Sequence, residues 1–265
     1  MKCRECGLQF IYPIPSPLQL FEIYQKDYYT AWGKEYKEKT ITTLKEKFYE
    51  SILKCVEKFK RPGPLLDAGC AFGHSFMVAM KRGWEPFGVE ISSEAYKIAE
   101  RRFPSRIASG DYCKVKLNDS YYDLVLMLDF LEHTPNLIET MLKTHTILKP
   151  GGLVAIVIPD INSFSASLMR KYWIHIKLEH LYYLSGKAME ILFLKTGFKP
   201  IVFKTVYKPI NLLYFENQVR KYGLPYQSII LKLLHLIKSL TPPYLQRLNI
   251  YLPQGELLAL AEKVS

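Results

Sequence analysis

The sequence has no run of about 18 consecutive apolar residues, the length a membrane-crossing helix needs. Its first residues include Cys3, Arg4, Glu5 and Cys6, where a secretory signal would place an apolar core. A secreted or membrane-spanning protein is therefore not expected. Cysteine is scarce: Cys3, Cys6, Cys55, Cys70 and Cys113 are an odd set with no disulfide framework. That suits a reducing compartment and points to the cytoplasm. Low-complexity stretches are absent, and so is any internal repeat of about 20 to 50 residues. Acidic residues run short late in the chain: residues 160–250 hold thirteen basic and four acidic side chains, a net +9.

What remains is an ordinary globular composition. The 265 residues are 49% hydrophobic, 14% aromatic and 23% charged, which excludes disorder and a disulfide-dense mini-scaffold and fits one large domain with appendages. Residues 63–159 are nearly neutral, with ten basic and eleven acidic residues, inside a chain of net charge +11. A balanced middle suits a catalytic core, and the basic later segment suits something anionic.

Three prolines between Tyr12 and Pro17 favour an extended segment. From about Tyr36, Ile41, Leu44, Phe48, Ile52, Cys55, Val56 and Phe59 recur at helical spacing until Arg61-Pro62-Gly63-Pro64. Short apolar runs then alternate with helical patterns. Strands are expected at Leu65-Leu66, Pro86–Ile91, Arg106–Ala108, Tyr122–Leu128, Leu153–Ile158, Phe198–Val206 and Glu256–Lys263. Intervening helices are expected at Phe76–Arg82, after Ser92 or Ser93, after a Thr134 cap, and from Ser185 to Gly197. Leu137, Ile138, Met141, Leu142 and Leu148 are the expected buried stripe of the third. Such alternation predicts an α/β fold with a doubly wound, mostly parallel sheet of about seven strands and a helical insertion before the last. The expected division is an arm over 1–33, a core over 34–208, a basic apolar insertion over 209–250 and a final strand over 251–265.

Leu65 to His74 reads as a strand, a glycine turn and a helix start. It lacks the G-x-G-x-x-G frame of a dinucleotide site, and Asp67 would repel phosphate while suiting a ligand with an ammonium and a sulfonium. Glu90, at the next strand end, can accept hydrogen bonds from both hydroxyls of a ribose. Asp111 and Asp129 follow the next two strands, so four acids sit at four consecutive strand ends, the edge where open α/β sheets bind ligands.

These residues resemble the class I S-adenosylmethionine-dependent methyltransferases, in particular a branch with an N-terminal cysteine knuckle. The likeness starts at Cys6-Gly7-Leu8, Phe10, Pro13, Pro15-Ser16, Leu20, Tyr24 and Tyr28-Tyr29. It continues through Asp67 to Gly73, Leu131-Glu132-His133, Leu148 to Gly152, and Glu179-His180-Leu181. The resemblance implies S-adenosyl-L-methionine as cofactor. Asp67, Gly69, Cys70 and Gly73 would hold its methionine portion, Glu90 with Ile91 its ribose, Asp111 and Tyr112 its adenine side, and Leu128 and Asp129 the adjoining wall. Ala71 stands where the family usually has a third glycine, so tighter geometry is expected there. His133 and His180 are either structural or general bases acting on an acceptor hydroxyl.

Cys3 and Cys6 form half of a zinc knuckle with no second pair, so no metal is expected. Tyr226–Leu240 places Ser228, Lys232, His235 and Ser239 on a narrow polar stripe among Ile and Leu. It is too short to span a bilayer and suits a lid, a homodimer interface or a membrane surface. The function implied is methylation, at oxygen, nitrogen or carbon, of a small acceptor such as a sugar, quinone or lipid-like intermediate, with an anionic one suiting the basic segment. An RNA methyltransferase is the rival, weakened by the lack of an arginine cluster or RNA-binding module; a non-catalytic docking protein is another.

Overall fold

The computed structural model describes residues 1–16, 19, 39–222, 227–246 and 248–264. The expected boundary at residue 33, the helix start at Tyr36 and the motif positions Leu20, Tyr24, Tyr28 and Tyr29 lie outside them.

Seven strands form the main sheet: β2 (Pro64–Ala68), β3 (Glu85–Glu90), β4 (Ile107–Ser109), β5 (Tyr122–Leu128), β6 (Leu148–Pro159), β8 (Phe198–Ile210) and β9 (Ile250–Lys263). Their spatial order is β4-β3-β2-β5-β6-β9-β8. The first five neighbours pair in parallel, whereas β9 runs antiparallel to both β6 and β8. A separate ribbon pairs β1 (Gln9–Phe10) with β7 (Tyr182–Tyr183).

The alternation in β5 shows why the sheet is covered on both sides. Val125 and Met127 join an apolar cluster with Met141, Met189 and Phe193 on one face. Leu124 and Leu126 join Phe48, Ile52 and Val56 on the other. A side-chain period of two sends both sets into cores only if helices lie on each face. Helix α1 (Lys39–Val56) covers the second face. The first is covered by α4 (Leu137–Ile147) and α6 (Gly186–Lys195). Between the strands lie α2 (His74–Lys81) and α3 (Ser93–Arg102), the latter capped by the Ser92 hydroxyl, which accepts the Ala95 N–H at 3.3 Å.

Local differences from the sequence expectation have physical causes. Thr134 does not cap a helix; it closes a 3-10 turn over Leu131–His133, and Asn136 caps α4 by accepting the Glu139 N–H. The face that α4 turns to the sheet is centred on Leu137, Met141 and Thr144, so Ile138 and Leu142 face solvent while Thr140 and Thr144 are buried. Each of those threonines donates its hydroxyl to the carbonyl four residues earlier, which satisfies it inside the helix. Lys149 to Gly152 lies within β6 instead of before it. Phe59 lies beyond the end of α1 and is exposed. The late helical interval divides into α7 (Leu212–Tyr222), α8 (Gln227–Leu240) and α9 (Pro243–Gln246).

Candidate active site

Sheet order reverses between β2 and β5, so the connections leaving these neighbours diverge and open a crevice beyond their carboxyl ends. Asp67 to Gly73 lies at one lip and Asp129 to His133 at the other. They meet at Gly69, where an added Cβ would stand 2.7 Å from the Phe130 ring and the backbone has φ +72°. Only glycine satisfies both conditions. Ala71 also has positive φ, +46°, a conformation that costs an L-residue about 1–2 kcal/mol. Its N–H donates to Glu90 Oε2 at 2.8 Å, which holds the turn in that shape.

Glu90 is buried where β3 ends, and its Oε1 accepts the Ser92 N–H at 2.7 Å. A carboxylate offers about four lone-pair sites, and the bonds from Ala71 and Ser92 hold this one between the glycine turn and the start of α3. Asp67 is buried beside it and accepts a hydrogen bond from the Ser75 hydroxyl. Burial pushes the Asp67 carboxyl up to about 7, with the Ser75 bond opposing and the Glu90 charge adding. Among the described residues no cation pairs with Asp67.

The other expected residues divide by what their side chains do. The Cys70 thiol is buried under the turn, close enough to Gly88 that a Cβ there would stand 2.6 Å from its Sγ. Only its backbone faces the crevice side of the packing. Tyr112 is a core residue, its hydroxyl 2.8 Å from Thr144 Oγ1 and its ring edge-to-face with Phe130. Asp111 accepts the Cys113 N–H at 2.9 Å and remains partly exposed. Gly110 ties that loop to the site by donating its N–H to the Glu90 carbonyl at 2.9 Å. Ile91 is exposed beside Glu90, Leu128 is half-buried, and Asp129 is exposed with φ +53°. Asp67, Glu90, Asp111 and Asp129 do stand at consecutive strand ends on one edge, as expected.

Several residues near the crevice were invisible to sequence patterning. Lys208 of β8 donates to Glu256 Oε1 of β9 at 2.7 Å and lies 3.4 Å from Asp129 Oδ2. Desolvation works against the Asp129 carboxylate, but Lys208, together with Lys177 and the neighbouring histidines, outweighs it and the net shift is downward. His175 lies 3.8 Å from Glu256 and donates to the Gln254 carbonyl at 3.0 Å. Tyr49 of α1 feels the charges of Asp67 and Asp129, with burial the main force raising its phenol.

His133 and His180 are brought together edge-to-face, ring centroids 4.7 Å apart. Burial pushes His133 down to about 4 and His180 to about 2, with the neighbouring Lys177 adding to both. Both rings are therefore neutral at physiological pH, below the range that favours a general base poised near pH 7. Segment 177–183 is fixed by two backbone bonds: Leu181 N–H donates to the Glu132 carbonyl at 2.9 Å, and Ile11 N–H donates to the Leu181 carbonyl at 3.1 Å. Residues 9–11 of the amino-terminal arm thus pack along Leu181–Tyr183. Within that arm, the Cys3 thiol is shifted down by backbone N–H groups of Cys6 and Glu5.

A buried carboxyl with no cation beside it among the described residues, a second acid closing the next strand and an exposed glycine at the lip fit a nucleoside that carries positive charge. The comparisons agree. The sequence model of a family described as "Methyltransferase domain" matches residues 39–202. An uncharacterised protein of Methanocaldococcus jannaschii is 27% identical over 191 residues, 69% of this chain and 78% of that protein. The ubiquinone biosynthesis O-methyltransferase of Nitrosomonas europaea is 27% identical over 96 residues, 34% of this chain but only 41% of that enzyme. The sterol 4-C-methyltransferase strm-1 of Caenorhabditis elegans is 29% identical over 94 residues, 33% of this chain and 28% of its own length. Among solved structures, 1,6-didemethyltoxoflavin-N1-methyltransferase of Burkholderia thailandensis, with 1,6-didemethyltoxoflavin and S-adenosylhomocysteine bound, superposes with TM-score 0.58. It is 13% identical and covers 99% of this chain and 97% of its own. A SAM-dependent methyltransferase of Archaeoglobus fulgidus gives TM-score 0.60 at 19% identity, over 89% of this chain and 100% of its own. The family match takes in both lips of the crevice, the acid that closes β3 and both histidines, and with most of the chain inside it this protein belongs to the methyltransferase-domain family.

Proposed function

We propose that this enzyme methylates oxygen, nitrogen or carbon of a lipid-like small molecule at an anionic membrane surface. Its cofactor is S-adenosylmethionine, which when bound supplies an electrophilic methyl group on a sulfonium. The chain's task is alignment: the glycine turn lets the ligand approach the backbone, Glu90 accepts from the ribose hydroxyls, and Asp67 faces the positive end. Alignment of a nucleophile with such a methyl group is worth many powers of ten without covalent help.

The observation that carries the choice of acceptor is α8. Its stripe of Ser228, Lys232, His235 and Ser239 is exposed as expected, yet Ile229, Leu233, Leu236, Ile237 and Leu240 are exposed too, with Leu240 at 75%. Leu234 is its buried contact, and Lys238 anchors the helix to Glu216 of α7 at 2.7 Å. An apolar helix face in a +9 segment matches a surface that is both greasy and negative. Among the described residues no helix is long and apolar enough to cross a membrane. Relatives named for ubiquinone biosynthesis and for sterols support a lipid-like acceptor.

The test is label transfer from methyl-labelled S-adenosylmethionine into extracted membrane lipids, with flotation on phosphatidylglycerol vesicles. Label in the organic phase and flotation that needs the anionic lipid are expected. Cofactor binding with label found only in RNA would overturn the acceptor assignment.

Asp67 adds a pH dependence. The folded protein holds the Asp67 proton more tightly than the unfolded chain does, so ionising it costs stability as pH rises from 3.8 to about 7. A bound cation favours the ionised form, and below that pH binding releases the proton. Affinity for S-adenosylmethionine should therefore climb with pH up to about 7, by as much as roughly tenfold per unit, and then level off. Calorimetry between pH 5.5 and 8.5 reads this directly; Asp67→Asn should flatten the profile, and a flat wild-type profile would remove Asp67 from the cation's partners.

A further inference from the structure

Glu132 is fully buried, and among the described residues neither of its carboxylate oxygens has a hydrogen-bond partner. Nδ1 of His180, 3% exposed, is likewise buried and without one. One ligand atom each from Glu132, His133 and His180 lies within 4.8 Å of the others. Buried polar groups are nearly always satisfied, and leaving a carboxyl group unsatisfied costs several kcal/mol. Here two such groups converge on one point.

The fold goes to some length to build that convergence. Glu132 and His133 lie on the 3-10 turn that follows β5, and His180 comes from a segment nearly fifty residues later. The Leu181 N–H to Glu132 carbonyl bond joins the two, and pairing of β1 with β7 backs the second from outside. Two cations stand near: Lys208 is engaged by Asp129 and Glu256, and Lys177 acts on all three residues, a single charge that the Glu132 carboxylate offsets.

We propose that Glu132, His133 and His180 form a site for a divalent first-row transition-metal ion whose remaining coordination positions take an oxygen of the acceptor. One carboxylate and two imidazoles suit zinc, manganese, iron or cobalt, whereas calcium and magnesium take oxygen ligands almost alone. Three protein ligands leave positions open, the pattern of metal sites that bind substrate and unlike the closed four-ligand structural kind. The turn bearing two of the ligands leads directly out of Asp129, the wall of the cofactor crevice, so an oxygen on the metal would lie on the acceptor side. Acceptors with a hydroxyl, a pair of adjacent hydroxyls or a carboxylate are the class selected. That last step rests on the proposed function; the metal site does not.

The experiment uses the full chain carrying Cys3→Ser and Cys6→Ser, so that the knuckle cannot take the metal. After chelator treatment it is titrated with cobalt(II) and manganese(II), followed by absorption, calorimetry and electron paramagnetic resonance. Saturable uptake of one equivalent is expected, with nitrogen couplings from imidazole in the resonance spectrum. His180→Ala and Glu132→Gln should weaken uptake by at least about 100-fold, since outer-sphere partners of a metal alone are worth 10–100-fold. S-adenosylhomocysteine binding by the same samples reports whether each variant is folded and whether the cofactor site works. No saturable uptake by the parent protein, or uptake with oxygen ligands alone, overturns the proposal even if the cofactor binds. Loss of cofactor binding with intact metal uptake would count against the crevice and leave the metal site standing.

Discussion

Replacing Glu90 by alanine should weaken S-adenosylhomocysteine binding by on the order of 100-fold, the sum of two charge-assisted hydrogen bonds at about 1.5 kcal/mol each. Glu90 accepts the Ala71 and Ser92 N–H groups, and the proposed function gives it a second duty, accepting from the ligand. Alanine removes both, so the turn held at positive φ loses its anchor as well. Glutamine is a sharper probe. Because both carboxylate oxygens accept from backbone N–H groups, its amide nitrogen must face a donor whichever way it is turned. Glu90→Gln should therefore resemble Glu90→Ala. Isothermal titration on the folded variants measures this, and affinity within about threefold of wild type for Glu90→Ala, under 0.7 kcal/mol, would show that the crevice holds its ligand some other way.

Lys208→Met should cost about 3–5 kcal/mol of stability at pH 8, the usual effect of removing one partner from a buried ion pair. Glu256 is only 3% exposed, and Lys208 supplies its one short contact. Burial pushes the Glu256 carboxyl up to about 7 even with Lys208 opposing. The ionised form is the costly one, so the penalty is present above that pH and is relieved as pH falls through it. The deficit of the variant should accordingly shrink at pH 6. Urea unfolding at both pH values provides the measurement, and the double variant Lys208→Met with Glu256→Gln should recover part of the loss. A deficit under about 1 kcal/mol at pH 8 would place the pair among surface bridges of little consequence.

The glycine turn and Glu90 could be read from the sequence because they belong to one continuous strand–turn–helix–strand stretch, where spacing along the chain and position in space nearly coincide. Lys208 and Glu256 could not. Lys208 interrupts an apolar run and Glu256 opens one, and a period of two records which face a residue takes without saying what faces it. Their partnership arises from the antiparallel pairing of β8 with β9, and Asp129 joins them from a third strand. His133 and His180 were both recognised, but their contact depends on a backbone bond between distant turns, and the burial of Glu132 between them left no mark in composition. The misjudged face of α4 has a smaller cause: Thr140 and Thr144 satisfy their hydroxyls within the helix and so can be buried, and hydropathy alone places such residues on the wet side.

Strand β9 lies between β6 and β8, yet it follows both of them in the chain. During synthesis on the ribosome, β6 emerges with one long edge bare and β8 with both, since the piece that will separate them has not been made. Exposed edges of this kind invite pairing with other chains. The sheet is zipped shut only when Ile250–Lys263 threads into the waiting slot, so the nascent protein stays vulnerable to aggregation until that late stretch has been translated.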